Sequence, residues 1–295
     1  MSTVITLDPG LGFQLSSVVV SNSFRDFEHA GWERVVGEYD RFFGSLTIQA
    51  IEPLLDNVGA GPGVRLLDVA TGPGYVAAAA AKRGAAVVGV DFSAPMVAEA
   101  SRRHPAIEFR AGDAEALPFA DASFDAVVMN FAMLHLGRPD QALSESSRVL
   151  GAGGRIGLTV WAKPEESVGF DITLRAIQTH GDLNVPLPEG PPFFRFSDPE
   201  ECVRSLLKAS FRNPQVVTIA QIWRLPSSDA LFEAMRSATV RTAGLLRGQT
   251  EKALDAIRAA MRDATRDYER DGVIELPMPA MLASAVKPAS GGVLK

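Results

Sequence analysis

The sequence predicts an α/β protein built on a mostly parallel sheet. Between residues 64 and 161, short β-branched or apolar runs alternate with helical patterns, as strands and their crossover helices do. Each connection is short enough for a right-handed βαβ unit. At 295 residues, 46% of them hydrophobic, the chain has the material for a substantial core.

Taken in order, 24–55 reads as one or two amphipathic helices carrying Trp32, Tyr39, Phe42 and Phe43. Strands are expected at 64–70, 85–91, 107–113, 126–131 and 155–161. The alanine-rich stretch 75–83 is a helix that stops at Gly84. Ser93 caps a second helix that ends before Pro105, and 139–150 forms a third, ended by the glycines at 151–154. Beyond the core, 165–179 is helical, the Pro- and Phe-rich stretch 181–196 is an ordered loop, and Asp198-Pro199 opens a helix to about Ser210. A strand-like run at 215–223, two long helical patterns at 228–247 and 250–270, and a last strand-like run at 280–286 complete the chain.

Composition narrows the function. A net charge of −6, with no cluster of Lys and Arg interleaved with aromatics, gives no footprint for nucleic acid. A single cysteine, Cys202, excludes an intrachain disulfide and a multi-cysteine metal site, and suits the cytoplasm. The four histidines show no paired ligand spacing, so no metal is expected. No apolar run reaches the roughly 18 residues a membrane span needs, and the N-terminus has no signal-peptide pattern.

The chemistry lies at three strand ends. LLDVATGPGYVA turns after Asp68 through Gly72 and Gly74 into a helix whose free N–H groups attract an anion. By itself this turn fits a dinucleotide pyrophosphate as well as another ligand. Asp91, at the end of AAVVGVD and seventeen positions past Gly74, stands where a carboxylate grips ribose hydroxyls, or caps the following helix. Asp113 ends the third strand, where an acid beside free N–H groups reads an adenine edge, or simply shapes a surface turn. In succession the three are spaced like a nucleoside lying across the carboxyl side of a sheet.

At this point the sequence resembles the class I S-adenosylmethionine-dependent methyltransferases, most closely the branch of the ubiquinone and menaquinone biosynthesis methyltransferases. LLDVATGPGYVA, VVGVDFSAPMV, FRAGDAEALPFADASFDAVVMNFAMLHL and ESSRVLGAGGRIGLTVW carry the resemblance, over about a third of the chain. It implies a Rossmann-like fold with a seven-stranded, mostly parallel sheet, an N-terminal helical cover (1–60), a cofactor-binding core (61–165), a cap and C-terminal part completing the sheet (166–288) and a flexible tail (289–295).

The resemblance further implies that Asp68, Ala70, Thr71, Gly72 and Gly74 hold the methionine part of S-adenosylmethionine, which leaves as S-adenosylhomocysteine. Asp91 would hold the ribose, and Asp113, Ala114 and Glu115 the adenine, with Phe92 and Met96 packed on it. Tyr39 would lie near the cofactor. Ala70 departs from the family, which commonly has a third glycine there. Charge agrees with this cofactor: three acids and no Lys or Arg between Leu66 and Ala81 suit a sulfonium and an ammonium better than a pyrophosphate.

Asn130, Phe131, Leu134 and His135 follow the fourth strand and would face the transferring methyl. His135 is either a general base or a hydrogen-bonded residue shaping its loop. His180 is a second candidate. Trp32, Trp161, Phe170, Phe193, Phe194 and Phe196 would line an acceptor pocket, or serve as core. The expected activity is methyl transfer to O, C or N of a small apolar or aromatic metabolite by a cytoplasmic monomer or homodimer. The rivals are an NAD-dependent oxidoreductase and a non-catalytic S-adenosylmethionine-binding module.

Overall fold

The computed structural model describes residues 23–289; the outer parts of the expected cover (1–22) and tail (290–295) lie outside the described residues. Ser23 caps α1 (Phe24–Thr47) by accepting from the Asp26 N–H, and a 3-10 turn leads into α2 (Ile51–Val58). The alternating core follows as β1 (Arg65–Val69), α3 (Tyr75–Lys82), β2 (Ala86–Asp91), α4 (Ala94–Arg103), β3 (Glu108–Ala111), β4 (Phe124–Asn130), α5 (Pro139–Val149) and β5 (Leu150–Trp161). Ser93 caps α4 through the Met96 N–H, as its position predicts. The glycines at 151–154 lie in the early part of β5, not between a helix and a later strand.

Then come α6 (Val168–His180), α7 (Pro199–Lys208) capped by Asp198, β6 (Arg212–Ile219), β7 (Ile222–Leu225), α8 (Ser228–Ser237), α9 (Arg241–Arg247), α10 (Glu251–Ala264), β8 (Glu269–Arg270), β9 (Val273–Pro277) and β10 (Ala280–Val286). The main sheet has seven strands in the order β3-β2-β1-β4-β5-β10-β6, with β10 antiparallel to both neighbours. Consecutive residues of its strands serve opposite faces. Leu66, Ala126, Val128 and Leu282 pack under α2 and α3, whereas Leu67, Val69, Val127 and Met129 join the larger cluster on the other side.

Three expectations in the C-terminal part need correction. The run 215–223 is two strands in different sheets. It breaks at Gln221, which is 2% exposed and donates to the Leu46 carbonyl, while its own carbonyl accepts from Met278. The pattern 228–247 is two helices: Thr239 closes α8 onto the Met235 carbonyl and accepts the Ala243 N–H of α9, and Val240 seats against Gly31 of α1. The pattern 250–270 ends at Ala264, and a second sheet of order β7-β9-β8 follows. Its hairpin turns through Asp271 and Gly272, both at positive φ (50° and 79°), the geometry that Asp-Gly favours.

Sheet order reverses direction at β1: the chain steps outward to β2 and β3, then returns across to β4. In such folds the crevice at the carboxyl ends of the strands at this switch point is the ligand site. Here α1 crosses that end, touching α4 and α8, with α6, α8 and α10 packed together beyond it.

Candidate active site

At the end of β1 the chain makes a turn that only special backbone permits. Ala70, Gly72 and Gly74 have φ of 56°, 51° and 84°. Ala70 therefore adopts left-handed backbone with a Cβ, which costs roughly 1 kcal/mol more than glycine there. A glycine at this position, as the resembled family commonly has, would adopt that backbone without the cost. Gly74 is further constrained because a Cβ would come within 2.9 Å of the Phe109 ring.

The turn is tied down by two buried acids. Asp68 accepts from the Thr71 hydroxyl at 2.6 Å and from the Ala77 N–H at 3.1 Å, filling the amino end of α3. Asp91 accepts from the Gly72 N–H at 2.8 Å on one oxygen and from the Ser93 N–H at 2.9 Å on the other. Burial pushes Asp68 up to about 7 and Asp91 up to about 6, against hydrogen bonds that pull each back. Loss of solvent thus holds both carboxyls nearer neutrality than a free acid.

These raised values set a pH dependence for the ligand-free protein. Between about pH 4 and 7 the folded state holds protons that the unfolded chain has released, so stability falls as pH rises through this window. Denaturation midpoints at pH 5 and pH 7.5 check the sign. Replacing Asp68 by Asn is expected to flatten the slope.

Asp113 follows β3, accepting from the Glu115 N–H at 2.9 Å and meeting Arg25 of α1 at 2.5 Å. Glu115 itself turns away and pairs with Arg138 at 2.8 Å. One cavity is lined by Asp68, Ala70, Thr71, Gly72, Asp91, Phe92, Met96, Asp113, Ala114, Asn130 and Phe131. Gly74 and Glu115 support its walls without lining it. Asn130 is locked by accepting from Thr159 at 2.6 Å and donating to the Thr47 carbonyl.

The same cavity continues into an aromatic chamber. Phe131, at a φ of 56°, stacks on Trp161 with centroids 4.0 Å apart, and Trp161 meets Phe170 edge-on at 5.6 Å. From α1, Trp32 packs on His135 at 4.6 Å and on Tyr39 at 5.3 Å, and Tyr39 stacks on Phe43. Burial pushes the Tyr39 phenol up to about 12, so it remains neutral. Phe193 also lines the chamber.

Other sequence candidates fall elsewhere. Phe194 packs behind Phe193 and Phe170, Phe196 is 3% exposed beneath the loop, and Leu134 is buried. His180 is exposed at the end of α6, outside the lining. Among the residues missed are Phe43, Thr47, Tyr75, Leu136, the 238–242 corner with Arg241, and Glu28, which is fully buried behind His135. Glu28 had a signal: it lies in the stripe Phe24, Glu28, Gly31, Val35 that α1 turns inward. An acid in an apolar stripe needs a partner. Arg241 had none, being one arginine among several on a helical pattern.

The family described as "Methyltransferase domain" matches residues 67–158. The demethylmenaquinone methyltransferase of Renibacterium salmoninarum is 46% identical over 111 residues, 38% of this chain and 47% of that one. That of Beutenbergia cavernae is 47% identical over 110 residues, 37% and 46% of the two chains. The chain thus spans just under half the length of these relatives.

Among solved structures, the YcgJ protein of Bacillus subtilis superposes with a TM-score of 0.53 at 20% identity, covering 82% of this chain and 99% of that one. Phosphoethanolamine N-methyltransferase 2 of Haemonchus contortus, solved with phosphomonomethylethanolamine and S-adenosylhomocysteine, gives 0.56 at 22% identity, covering 90% and 60%. Among the described residues no helix is long and apolar enough to cross a membrane. Residues 67–158 are thus similar to a methyltransferase domain, and the seven-stranded sheet around them is the fold shared with these solved structures.

Proposed function

We propose that the protein is an S-adenosylmethionine-dependent methyltransferase acting on a small apolar or aromatic molecule. The observation that carries this reading is a single cavity with three acids at successive strand ends on one side and an aromatic chamber on the other. Bound S-adenosylmethionine supplies a methyl group already activated on a sulfonium. Asp91 would accept from the ribose hydroxyls through its remaining lone pairs. Asp113 and Ala114 would meet the adenine, with Phe92 and Met96 against its faces. Asp68, Ala70, Thr71 and Gly72 would surround the methionine part, with Gly74 shaping the turn.

The chain's own contribution is then orientation and dryness. The rings of Tyr39, Phe43, Phe131 and Trp161 wall the reacting end from water, and alignment of this kind supplies much of a transfer rate. An NAD-dependent reading is disfavoured by the same acids. Arg241, the arginine in the lining, already pairs with the Glu28 carboxylate and donates to the Pro191 and Leu134 carbonyls, so its charge is not left over for a phosphate. Cytoplasmic residence as a monomer or homodimer is the accompanying expectation, with a small molecule as partner.

The test follows methyl-labelled S-adenosylmethionine in the presence of a panel of small aromatic and alicyclic acceptors. Label in an organic-extractable product is expected; tight cofactor binding without transfer to any acceptor would favour the non-catalytic binding module. Because a cationic ligand favours ionised Asp68 and Asp91, its affinity is expected to rise more than tenfold from pH 5.5 to pH 7.5. A flat profile would contradict the charge argument.

A further inference from the structure

Resting on the methyltransferase reading, we propose that Glu28 holds His135 as the base for an acceptor hydroxyl, so that the methylated atom is the oxygen of a hydroxylated aromatic molecule. Glu28 is fully buried on α1, yet three donors converge on it. Its Oε2 accepts from Trp32 Nε1 at 3.1 Å and faces His135 Nδ1 at 3.0 Å, and its Oε1 accepts from Arg241 Nε at 3.0 Å. A carboxylate has no proton to give, so His135 Nδ1 must carry the hydrogen of that contact. The lone pair is therefore on Nε2, and His135 lines the cavity. Arg241 compensates the charge of Glu28 and is itself clamped between Phe24, at 4.3 Å, and Phe193.

The surroundings select the acceptor. Glu28 has both oxygens engaged and no exposed surface, so it offers nothing to an ammonium group entering the chamber. Arg241 uses one donor of each of its three nitrogens on Glu28 and the Pro191 and Leu134 carbonyls, and its charge is balanced by Glu28. The aromatic walls and the imidazole lone pair among them fit a flat neutral molecule bearing an O–H. In the transfer, His135 Nε2 takes the hydroxyl proton while the acceptor oxygen forms its bond to the donor's methyl carbon. The carbon–sulfur bond that breaks leaves its electron pair on sulfur, so a sulfonium becomes a neutral thioether. The imidazolium then returns its proton to solvent. Glu28 touches none of these atoms; it is a positioning residue that fixes tautomer and ring orientation.

The acceptor walls lie mainly outside the segment shared with the methyltransferase-domain family. Trp32, Tyr39, Phe43, Trp161, Phe170 and Phe193 all fall beyond residues 67–158. The chamber is therefore read from its own chemistry.

The test combines nitrogen NMR of the His135 ring with 2-naphthol as acceptor, in full-length protein saturated with S-adenosylhomocysteine for NMR and with S-adenosylmethionine for turnover. Expected are a protonated Nδ1, an unprotonated Nε2 whose resonance moves when 2-naphthol is added, and 2-methoxynaphthalene as product. H135N should lower kcat at least 100-fold, with S-adenosylhomocysteine affinity within threefold of the parent. In E28Q an amide nitrogen must face one of the three donors; a rise in the Nε2-protonated tautomer and at least a tenfold fall in kcat are expected. An unprotonated Nδ1 in the parent, an Nε2 indifferent to 2-naphthol, or an H135N enzyme within threefold of the parent rate would overturn the proposal. Methylation of 2-aminonaphthalene in preference to 2-naphthol would also overturn it. Loss of S-adenosylhomocysteine binding by the parent protein would instead remove the methyltransferase reading on which it rests.

Discussion

Replacing Asp91 by Ala is expected to weaken S-adenosylhomocysteine binding about 100-fold or more, with the fold intact. Asp91 ends β2, is 6% exposed, and points both oxygens at backbone N–H groups of the two loops that bound the cavity. Two hydroxyls of a bound ribose would be accepted by the lone pairs still available. Hydrogen bonds to a charged group contribute roughly 1.5–3 kcal/mol each, so losing two corresponds to about 100-fold or more. Asn does not rescue the site, because its NH2 would face either the Gly72 or the Ser93 N–H, donor against donor. Calorimetry on the variant gives the affinity, and circular dichroism reports the fold. An affinity within threefold of the parent would show that the nucleoside lies elsewhere.

Replacing Trp223 by Ala is expected to cost about 4 kcal/mol of stability, a large share of the roughly 5–15 kcal/mol a domain has. Trp223 lies on β7 with no exposed surface. Its ring packs on Phe43 at 4.6 Å, and its Nε1 donates to the Phe42 carbonyl at 2.8 Å. It also fills the space over Gly169, where an added Cβ would approach the ring to 3.1 Å. One side chain thus joins α1, α6 and the second sheet, and Phe43 on its far side lines the aromatic chamber. The loss should appear in urea as a lower midpoint with an unchanged slope, accompanied by weaker acceptor discrimination. A loss below 1 kcal/mol would mean that the cover and the second sheet are held by other contacts.

The core was readable because its signals are local and repeated. Each strand from β1 to β5 is bounded by turn or cap chemistry, and the acids Asp68, Asp91 and Asp113 each lie at or just past the end of a strand of that series. The second sheet was not read, although Asp271-Gly272 between Arg270 and Val273 is a hairpin signal that the longer helical pattern masked. The break at Thr239 was hidden for another reason: a hydroxyl that serves the carbonyl before it and the N–H after it looks like any helical threonine.

The site shows the same division. Its cofactor side is set by strand ends, where sequence position nearly determines spatial position. Its proposed acceptor side is assembled from α1, the Pro-rich loop and the 238–242 corner, segments far apart in the chain that meet only through packing. His180 and His135 were equal in type, and only the fold separates an exposed helix end from a cavity wall backed by Glu28. Ala70 is the converse case, a departure from the resembled family whose positive φ gives the physical reason for the usual glycine.

The most direct measurement is isothermal calorimetry of the purified protein with S-adenosylhomocysteine and, separately, NAD at pH 7.5. The account requires one-to-one binding of S-adenosylhomocysteine at micromolar concentration, lost in the Asp91→Ala variant, and no heat from NAD. Binding of NAD alone would contradict it.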